Sequence, residues 1–432
     1  MVYHRPLTAP ECRWSGLAQY LIPLFVENTR TERFSMKAVV FAAGKSTRTY
    51  PLTLTRPKPL LPIANKPILA HQMDALPPEV DTVVLVVGYM HDMIREAFGE
   101  EYQGRKLIYV EQTEQKGTGH ALLQCAPHIA EPFMAFNGDD LYAAEDFARL
   151  ARQHQAALVK TVADPRLFGI YEIAENYKVI RLVEKPTEVF SNLANIGAYK
   201  FTPEVFAVLE HTAPSVRGEI EITSAIQTLA DRGDFYAVPA EGHWLPIGYP
   251  WDLLDANLYM LENFMTSEIH GEVSEAAHVK GPLYVGTGSR VLPGVYIEGP
   301  VMIGEGCTVG PNCYLRPGTV LGRGAKVGQG CEVKNSILFD GAAVPHLSYV
   351  GDSVIGEKAN LGCGTITANF RHDGKNHRSQ VKDDLVDTGR RKLGAIIGDG
   401  VHTGINTSIY PGRKLWPHTS TLPGAVVRED RV

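Results

Sequence analysis

An apolar run, Ala38-Val39-Val40-Phe41-Ala42-Ala43, follows Met36-Lys37 and stops at Gly44. A continuous apolar stretch without polar alternation suits a strand covered on both faces, as in a parallel sheet. The pattern recurs from Asp81 to Val87 before Gly88, and from Phe133 to Phe136 before Asn137-Gly138-Asp139-Asp140. Segments of helical character, Ile68 to Leu76 and Ala121 to Ile129, lie between these runs. Alternating strands and helices predict an α/β domain on a mostly parallel, Rossmann-like sheet.

From about residue 281 the pattern changes. Every sixth residue is apolar: Val285, Val291, Ile297, Ile303, Val309, Leu315, Leu321, Val327, Val333 and Phe339. After a shift around Pro345 the beat resumes at Tyr349, Ile355 and Leu361, and returns at Ile397, Thr403, Ile409 and Leu415. A period of six fits neither a helix nor simple strand alternation. It predicts a parallel β-helix whose coils of three short strands stack and bury one residue per side. Cys313 and Cys331, one full coil apart, are therefore expected to stack on adjacent coils. Ala368 to Ala395 interrupts the beat with a polar insertion, expected to project from one edge. Between Arg371 and Lys392 it carries seven Lys/Arg against four Asp, a basic excess suited to phosphates.

These changes divide the chain into an extension (1–35), an α/β domain (36–262), a linker (263–280) and a β-helix (281–432). The extension lacks periodicity and motif, so it is expected to pack little, with translation starting at Met36. Its apolar stretch, Leu17 to Val26, is short of the ~20 residues needed to span a bilayer. No small-residue cleavage site follows it, so neither a membrane span nor a signal peptide is expected. A net charge of −6 argues against a nucleic-acid partner. The 6 cysteines form no CxxC pair, which points to a reducing, cytoplasmic setting.

Chemistry concentrates after the first strand, where residues 42–62 include Gly44-Lys45-Ser46-Thr47-Arg48 and Pro57-Lys58-Pro59-Leu60-Leu61-Pro62. A Gly/Ser/Thr turn after a buried strand leaves backbone N–H groups free for phosphate oxygens, and Arg48 and Lys58 supply cations for a triphosphate. The string resembles the signature of the sugar-1-phosphate nucleotidylyltransferases over about residues 37–262. That resemblance implies nucleotide contacts from Ala42, Ala43, Gly44, Gln112, Gly117 and Thr118, with catalytic Arg48 on the phosphates and Lys58 bridging nucleotide and sugar phosphate. It also implies sugar-phosphate binding by Gly169, Glu184, Lys185 and Asn195, and Mg²⁺ held by Asp139. Where the family has Trp-x-Asp-[Ile/Val]-Gly, this chain reads Trp244-Leu245-Pro246-Ile247-Gly248, so either Asp252 or Asp255 supplies the second metal ligand or that ligand is lost and Asp139 holds Mg²⁺ with water and phosphate oxygens.

The β-helix carries Leu315-Arg316-Pro317-Gly318, Glu332-Val333-Lys334, Pro345-His346-Leu347-Ser348-Tyr349-Val350-Gly351-Asp352 and Asn360-Leu361-Gly362-Cys363-Gly364 onward. These strings resemble the acetyltransferase half of the bifunctional N-acetylglucosamine-1-phosphate uridylyltransferases, with their left-handed β-helix of hexapeptide repeats. The insertion is similar to that of archaeal-type relatives, which accept UTP or dTTP. The resemblance implies His346 as general base on the amine of glucosamine 1-phosphate. It assigns Arg316 and Lys334 to the phosphate, and Tyr349, Asn360 and Asn369 to sugar and acyl positioning. Acetyl-CoA is expected at Cys363, Arg413 and Lys414, at sites completed by homotrimer formation. Ile405 and Phe370 stand where bacterial members have Ser and Tyr. Two other readings compete: a glucose-1-phosphate thymidylyltransferase whose β-helix serves assembly only, and a non-catalytic regulatory subunit resembling translation-factor exchange subunits.

Overall fold

The computed structural model describes residues 35–215 and 217–432. The expectations for the N-terminal extension fall on residues 1–34, outside the described residues. Two compact units are present, neither continuous in sequence. Among the described residues, one holds 35–44 with Ala75–Gly138 and Ala143–Gly242; the other holds Lys45–Asp74, Asp139–Tyr142 and His243–Val432.

The first unit is built on a mixed sheet. Strands Phe133–Asn137, Met36–Ala42, Val80–Val87 and Arg105–Glu111 lie side by side and parallel. Leu193–Phe201 pairs antiparallel with Phe133–Asn137 and continues the sheet toward Gly169–Ile173 and Val179–Glu184. The apolar runs read from the sequence are its centre: Ala38, Val39, Val40, Val83, Val84 and Phe136 are fully buried. Helix Ile222–Asp231 buries Ile222, Ala225, Ile226 and Leu229, an i, i+3, i+4, i+7 stripe.

The second unit contains three all-parallel sheets wound into the β-helix expected from the hexad, so the fold class is an α/β domain followed by a left-handed β-helix. Val285 aligns with Ile303, and Ile303 with Leu321, each eighteen residues on. Cys313 and Cys331 stack as expected: the neighbouring pairs Tyr314/Glu332 and Leu315/Val333 are in register, and Tyr314 N donates to Cys331 O at 2.9 Å. Residues 268–280, read from sequence as linker, are instead the first coil, pairing with Tyr284, Val285, Arg290, Val291 and Tyr296–Glu298. Their inward positions, Val273 and Ala277, are only partly buried, and the weak apolar beat hides the coil in the sequence.

The phase of the hexad also needs correction. The shift comes before Pro345, because Leu321 aligns with Leu338, seventeen residues on. Leu338 and Val350, not Phe339 and Tyr349, face inward. The shortened corner is a tight turn in which Asn335 adopts a left-handed φ of 42° and the buried Ser336 hydroxyl donates to Lys334 O at 2.7 Å. The next coil repeats it, with Asp352 at φ 50° and Ser353 N donating to Ser336 Oγ at 3.0 Å.

Phe339 instead joins an apolar layer on the flank of the β-helix. There Val320, Ile337, Phe339, Val354 and Ile396 pack with Leu61 and Ile63 and with Leu253, Leu254 and Leu261 of helix Asp252–Phe264. The segment carrying the Pro-Lys-Pro motif thus shares a core with the β-helix. The insertion forms a hairpin, Arg378–Val381 against Asp384–Asp387, with Val381 buried in the same layer.

Candidate active sites

In the first unit, the strand Met36–Ala42 delivers Ala42 and Ala43, each 4% exposed, to an exposed Gly44. Ala43 O is fixed by Tyr89 N at 3.2 Å and by Gln115 Nε2 at 2.9 Å. Gln112 follows the strand Arg105–Glu111 and is buried, its amide nitrogen 3.1 Å from His120 Nδ1. Gly117 caps helix Thr118–Leu123 at φ +101°, and a Cβ there would stand 2.5 Å from Ile220 O. Only glycine fits that approach, and it leaves Thr118 exposed at the helix start.

The proposed sugar-phosphate residues cluster in the same unit. Gly169 pairs with Glu184, and a Cβ at 169 would lie 2.9 Å from Glu184 Oε2. Burial raises the Glu184 carboxyl above its ordinary range, against the pull of Lys185 and Arg217. Asn195 donates to Tyr199 OH at 2.9 Å and accepts from Gly197 N at 3.2 Å, which fixes its amide. Lys185 is exposed, at a left-handed φ of 42°.

The second unit holds the residues expected to meet the phosphates. Ser46 O gathers the Thr49 hydroxyl at 2.7 Å and the Thr53 hydroxyl at 2.9 Å, folding the loop that carries Arg48. The exposed Arg48 guanidinium lies 5.5 Å from the centre of the Tyr249 ring, which stacks on Trp251. Lys58, flanked by Pro57 and Pro59, is 3% exposed and donates to Asp139 Oδ2 at 2.7 Å. Asp139 keeps 38% of its side chain exposed.

The expected second metal ligands are otherwise engaged. Asp252 Oδ2 accepts from Gly248 N at 2.8 Å and Tyr249 N at 2.7 Å, and burial pushes this carboxyl up to about 6. Asp255 pairs with Arg390 of the insertion. No cluster of three or more His, Cys, Asp or Glu suited to a metal occurs among the described residues. The donor set therefore fits a cation bound by one protein carboxylate, Asp139, and otherwise by ligand oxygens. Pro246 lies opposite Asp140 in the short ladder Trp244–Pro246 with Asp140–Tyr142. Sequence reasoning passed over Asp140: it is buried, accepts from Trp244 Nε1 at 3.1 Å, and is pushed well up by burial and by Asp139. Its role is to hold the Trp244–Pro246 strand.

On the β-helix a second constellation forms around Asp352, also passed over as a site residue. Asp352 is 3% exposed and accepts from Lys334 Nζ at 3.2 Å, Asn335 Nδ2 at 2.8 Å and Asn369 Nδ2 at 2.6 Å. Asn369 also reaches Tyr349 OH at 3.0 Å. Arg316 donates to Glu332 at 2.8 Å, one coil on. Lys334, Tyr349 and Asn369 are thus brought together. His346 is exposed on its corner, and no hydrogen bond joins it to this network. Asn360 pairs with Ala343 and His402 on neighbouring coils, and Cys363 is half-buried.

The proposed coenzyme contact at Lys414 is corrected. Lys414 is 2% exposed, donates to Gln380 O at 2.6 Å, and lies 5.8 Å from the centre of the Trp251 ring. The insertion hairpin covers it, and burial lowers its ammonium to about 8. Arg413 likewise donates to Arg378 O at 3.1 Å, so both residues tether the hairpin.

Comparison with known proteins matches both halves. The family described as nucleotidyl transferase fits residues 37–263, and the GMPPB C-terminal domain family fits residues 297–420. The chain is 42% identical to the bifunctional protein GlmU of Methanococcus maripaludis, covering 92% of this chain and 95% of that relative. It is 37% identical to a bifunctional sugar-1-phosphate nucleotidylyltransferase/acetyltransferase of Sulfurisphaera tokodaii, covering 91% and 98%. A crystal structure of UDP-glucose pyrophosphorylase complexed with UDP-glucose aligns at a TM-score of 0.48 and 28% identity, over 53% of this chain and 99% of that one.

Proposed function

We propose that this chain, which belongs to the family of the bifunctional GlmU proteins, is an enzyme of sugar-nucleotide synthesis with two transferase activities. The first moves a nucleotidyl group from UTP or dTTP to a sugar 1-phosphate, N-acetylglucosamine 1-phosphate, releasing pyrophosphate. The second acetylates glucosamine 1-phosphate with acetyl-CoA. The observation that carries the first is the Lys58–Asp139 pair at 2.7 Å, a buried cation beside a partly open carboxylate.

Nucleotidyl transfer asks a protein mainly to position phosphates and neutralise their charge. Arg48 meets the outer phosphates, and Lys58 spans the nucleotide and the attacking sugar phosphate. Gln112, Gly117 and Thr118 face the base, while Glu184 and Asn195 hold the sugar with Gly169 and Lys185. Asp139 would hold Mg²⁺, which when bound supplies charge neutralisation for the triphosphate. In the second reaction Arg316 and Lys334 bind the sugar phosphate, and Tyr349, Asn360 and Asn369 orient sugar and acyl group. His346 takes the proton from the amine before it attacks the thioester.

His346 stands apart from the Asp352 network, and the second unit exposes the apolar side chains Leu347 (64%), Phe370 (49%) and Ile405 (53%). A homotrimer that covers these groups and completes each site with a neighbouring copy accounts for both facts. We place the protein in the cytoplasm; no helix among the described residues is long and apolar enough to cross a membrane. A β-helix used for assembly alone would leave the Asp352 network unexplained.

The test is a panel of sugar 1-phosphates against UTP and dTTP with Mg²⁺, with acetyl-CoA and glucosamine 1-phosphate assayed separately. His346→Ala should lower acetyl transfer about 10²–10⁴-fold and leave nucleotidyl transfer intact. Wild-type acetyl transfer by this variant, or full activity of a monomer, would sink the assignment.

A further inference from the structure

Arg56 precedes the motif that carries Lys58 and is half-buried on the β-helix, with 15% of its side chain exposed. Its Nη2 donates to Asp399 Oδ2 at 2.6 Å and to Glu357 Oε2 at 2.9 Å. The Thr55 hydroxyl donates to the same Asp399 oxygen at 2.7 Å. The other oxygen of Asp399 accepts from Glu357 N at 2.7 Å, which ties the two carboxylates across adjacent coils. The guanidinium also lies 5.2 Å from the centre of the Phe339 ring, the side chain displaced outward by the shortened coil.

An apolar layer already joins this segment to the β-helix through Leu61 and Ile63. A half-buried ion cluster adds little net stability beyond such packing, because desolvation and solvent screening offset the attraction. What it adds is direction. A guanidinium nitrogen held between two carboxylate oxygens is limited in direction as well as distance, unlike a sliding apolar contact. Beyond Arg56 the chain runs Pro57-Lys58-Pro59, and each proline ring fixes its own φ, so a displacement of Arg56 is passed on rather than absorbed.

We infer that the β-helix positions the nucleotidyl-transfer lysine: Asp399, backed by Glu357, clamps Arg56 and thereby sets where Lys58 stands. Asp399 and Arg56 are positioning residues, and the first activity depends on a coil of the domain that performs the second. This inference rests on the nucleotidyl-transfer reading above.

Full-length Asp399→Asn, Arg56→Gln and the double variant test it, with both activities measured on each preparation. Asp399→Asn should lower the nucleotidyl-transfer kcat between about tenfold and 10²-fold, the cost of a displaced reacting group. The KM for UTP should change less, and acetyl transfer should stay at the wild-type rate, which a general loss of folding would not allow. The double variant should be no slower than Arg56→Gln alone. Wild-type kcat in Asp399→Asn, or losses that multiply in the double variant, would overturn the clamp. Should Asp399→Asn fail to fold, Thr55→Val removes one hydrogen bond to the same oxygen without changing charge. It should still lower kcat severalfold, and an unchanged kcat there overturns the proposal. An inactive wild type across the whole substrate panel would instead refute the functional reading.

Discussion

Two lysine–aspartate pairs serve the two halves of this chain, and they are mounted in opposite senses. In the first, Lys58 is nearly enclosed at 3% side-chain exposure while Asp139 shows 38%. In the second, Asp352 is enclosed at 4% while Lys334 shows 18%. In the proposed function the more open partner is presented to the ligand and the more enclosed one mounts it. Asp139 would present carboxylate oxygen, suited to a cation travelling with a triphosphate. Lys334 would present an ammonium, suited to a sugar phosphate with no metal. The same ion pair, turned over, would then suit a different ligand charge.

Removing the mount and removing the presented group should therefore have distinct signatures. The largest effect is expected from Lys58→Ala, because Lys58 both mounts Asp139 and meets the phosphates. Steady-state assays should show nucleotidyl transfer down about 10²–10³-fold, as for loss of one transition-state stabilising group, with acetyl transfer unchanged. A loss under tenfold would show that Lys58 acts only as the mount.

A contrast of the two aspartates comes next. Asp352→Asn leaves Lys334 without its buried counter-charge and disturbs the bonds to Asn335 and Asn369. It should cost about 1–3 kcal/mol of stability in thermal or denaturant unfolding and raise the KM for glucosamine 1-phosphate. Asp139→Asn should disable nucleotidyl transfer and leave acetyl transfer intact, and it too should cost stability, because the nearly enclosed Lys58 loses its carboxylate. Loss of the same activity from both substitutions would break the comparison.

The smallest effect concerns a lysine mounted without a directly bonded carboxylate. Lys414 is held by Gln380 O and the Trp251 ring, and burial lowers it to about 8. The folded chain releases this proton near pH 8, whereas an exposed lysine keeps it to about 10.4. Between those values the unfolded chain binds more protons, so this residue makes stability rise with pH across that window. Unfolding curves from pH 7 to 10 should show that rise in the wild type, and Lys414→Met should flatten it. Identical slopes in both proteins would refute this role.

The sheet strands and the hexad were legible because burial on both faces, or on one side of every coil, imposes a local rule on residue type. Lys58 and Asp139 were legible because a long string surrounds them. The rest depended on partners remote in sequence. Nothing near Asp352 announces that it will gather Asn335 and Asn369, seventeen residues to either side. Asp140 stands beside Asp139 in the sequence, but its partner Trp244 comes 104 residues later. Lys414 reads as an available cation because the hairpin that covers it lies elsewhere in the sequence. Phe339 fits the beat in composition and misses it in phase, since a single missing residue turns the following side chain outward.

The clamp on Arg56 also bears on how the chain matures during synthesis. Its partner Asp399 lies 343 residues downstream. At about 5–20 residues per second, the signature segment waits roughly 17–70 s on the ribosome before that carboxylate is made. Throughout the delay Leu61 and Ile63 lack the β-helix side of their core. The segment that is to hold the triphosphate is among the early parts of the chain to be synthesised and among the last to be locked. Nascent chains should therefore stay sensitive to protease and bind chaperones there until the β-helix coils close over them.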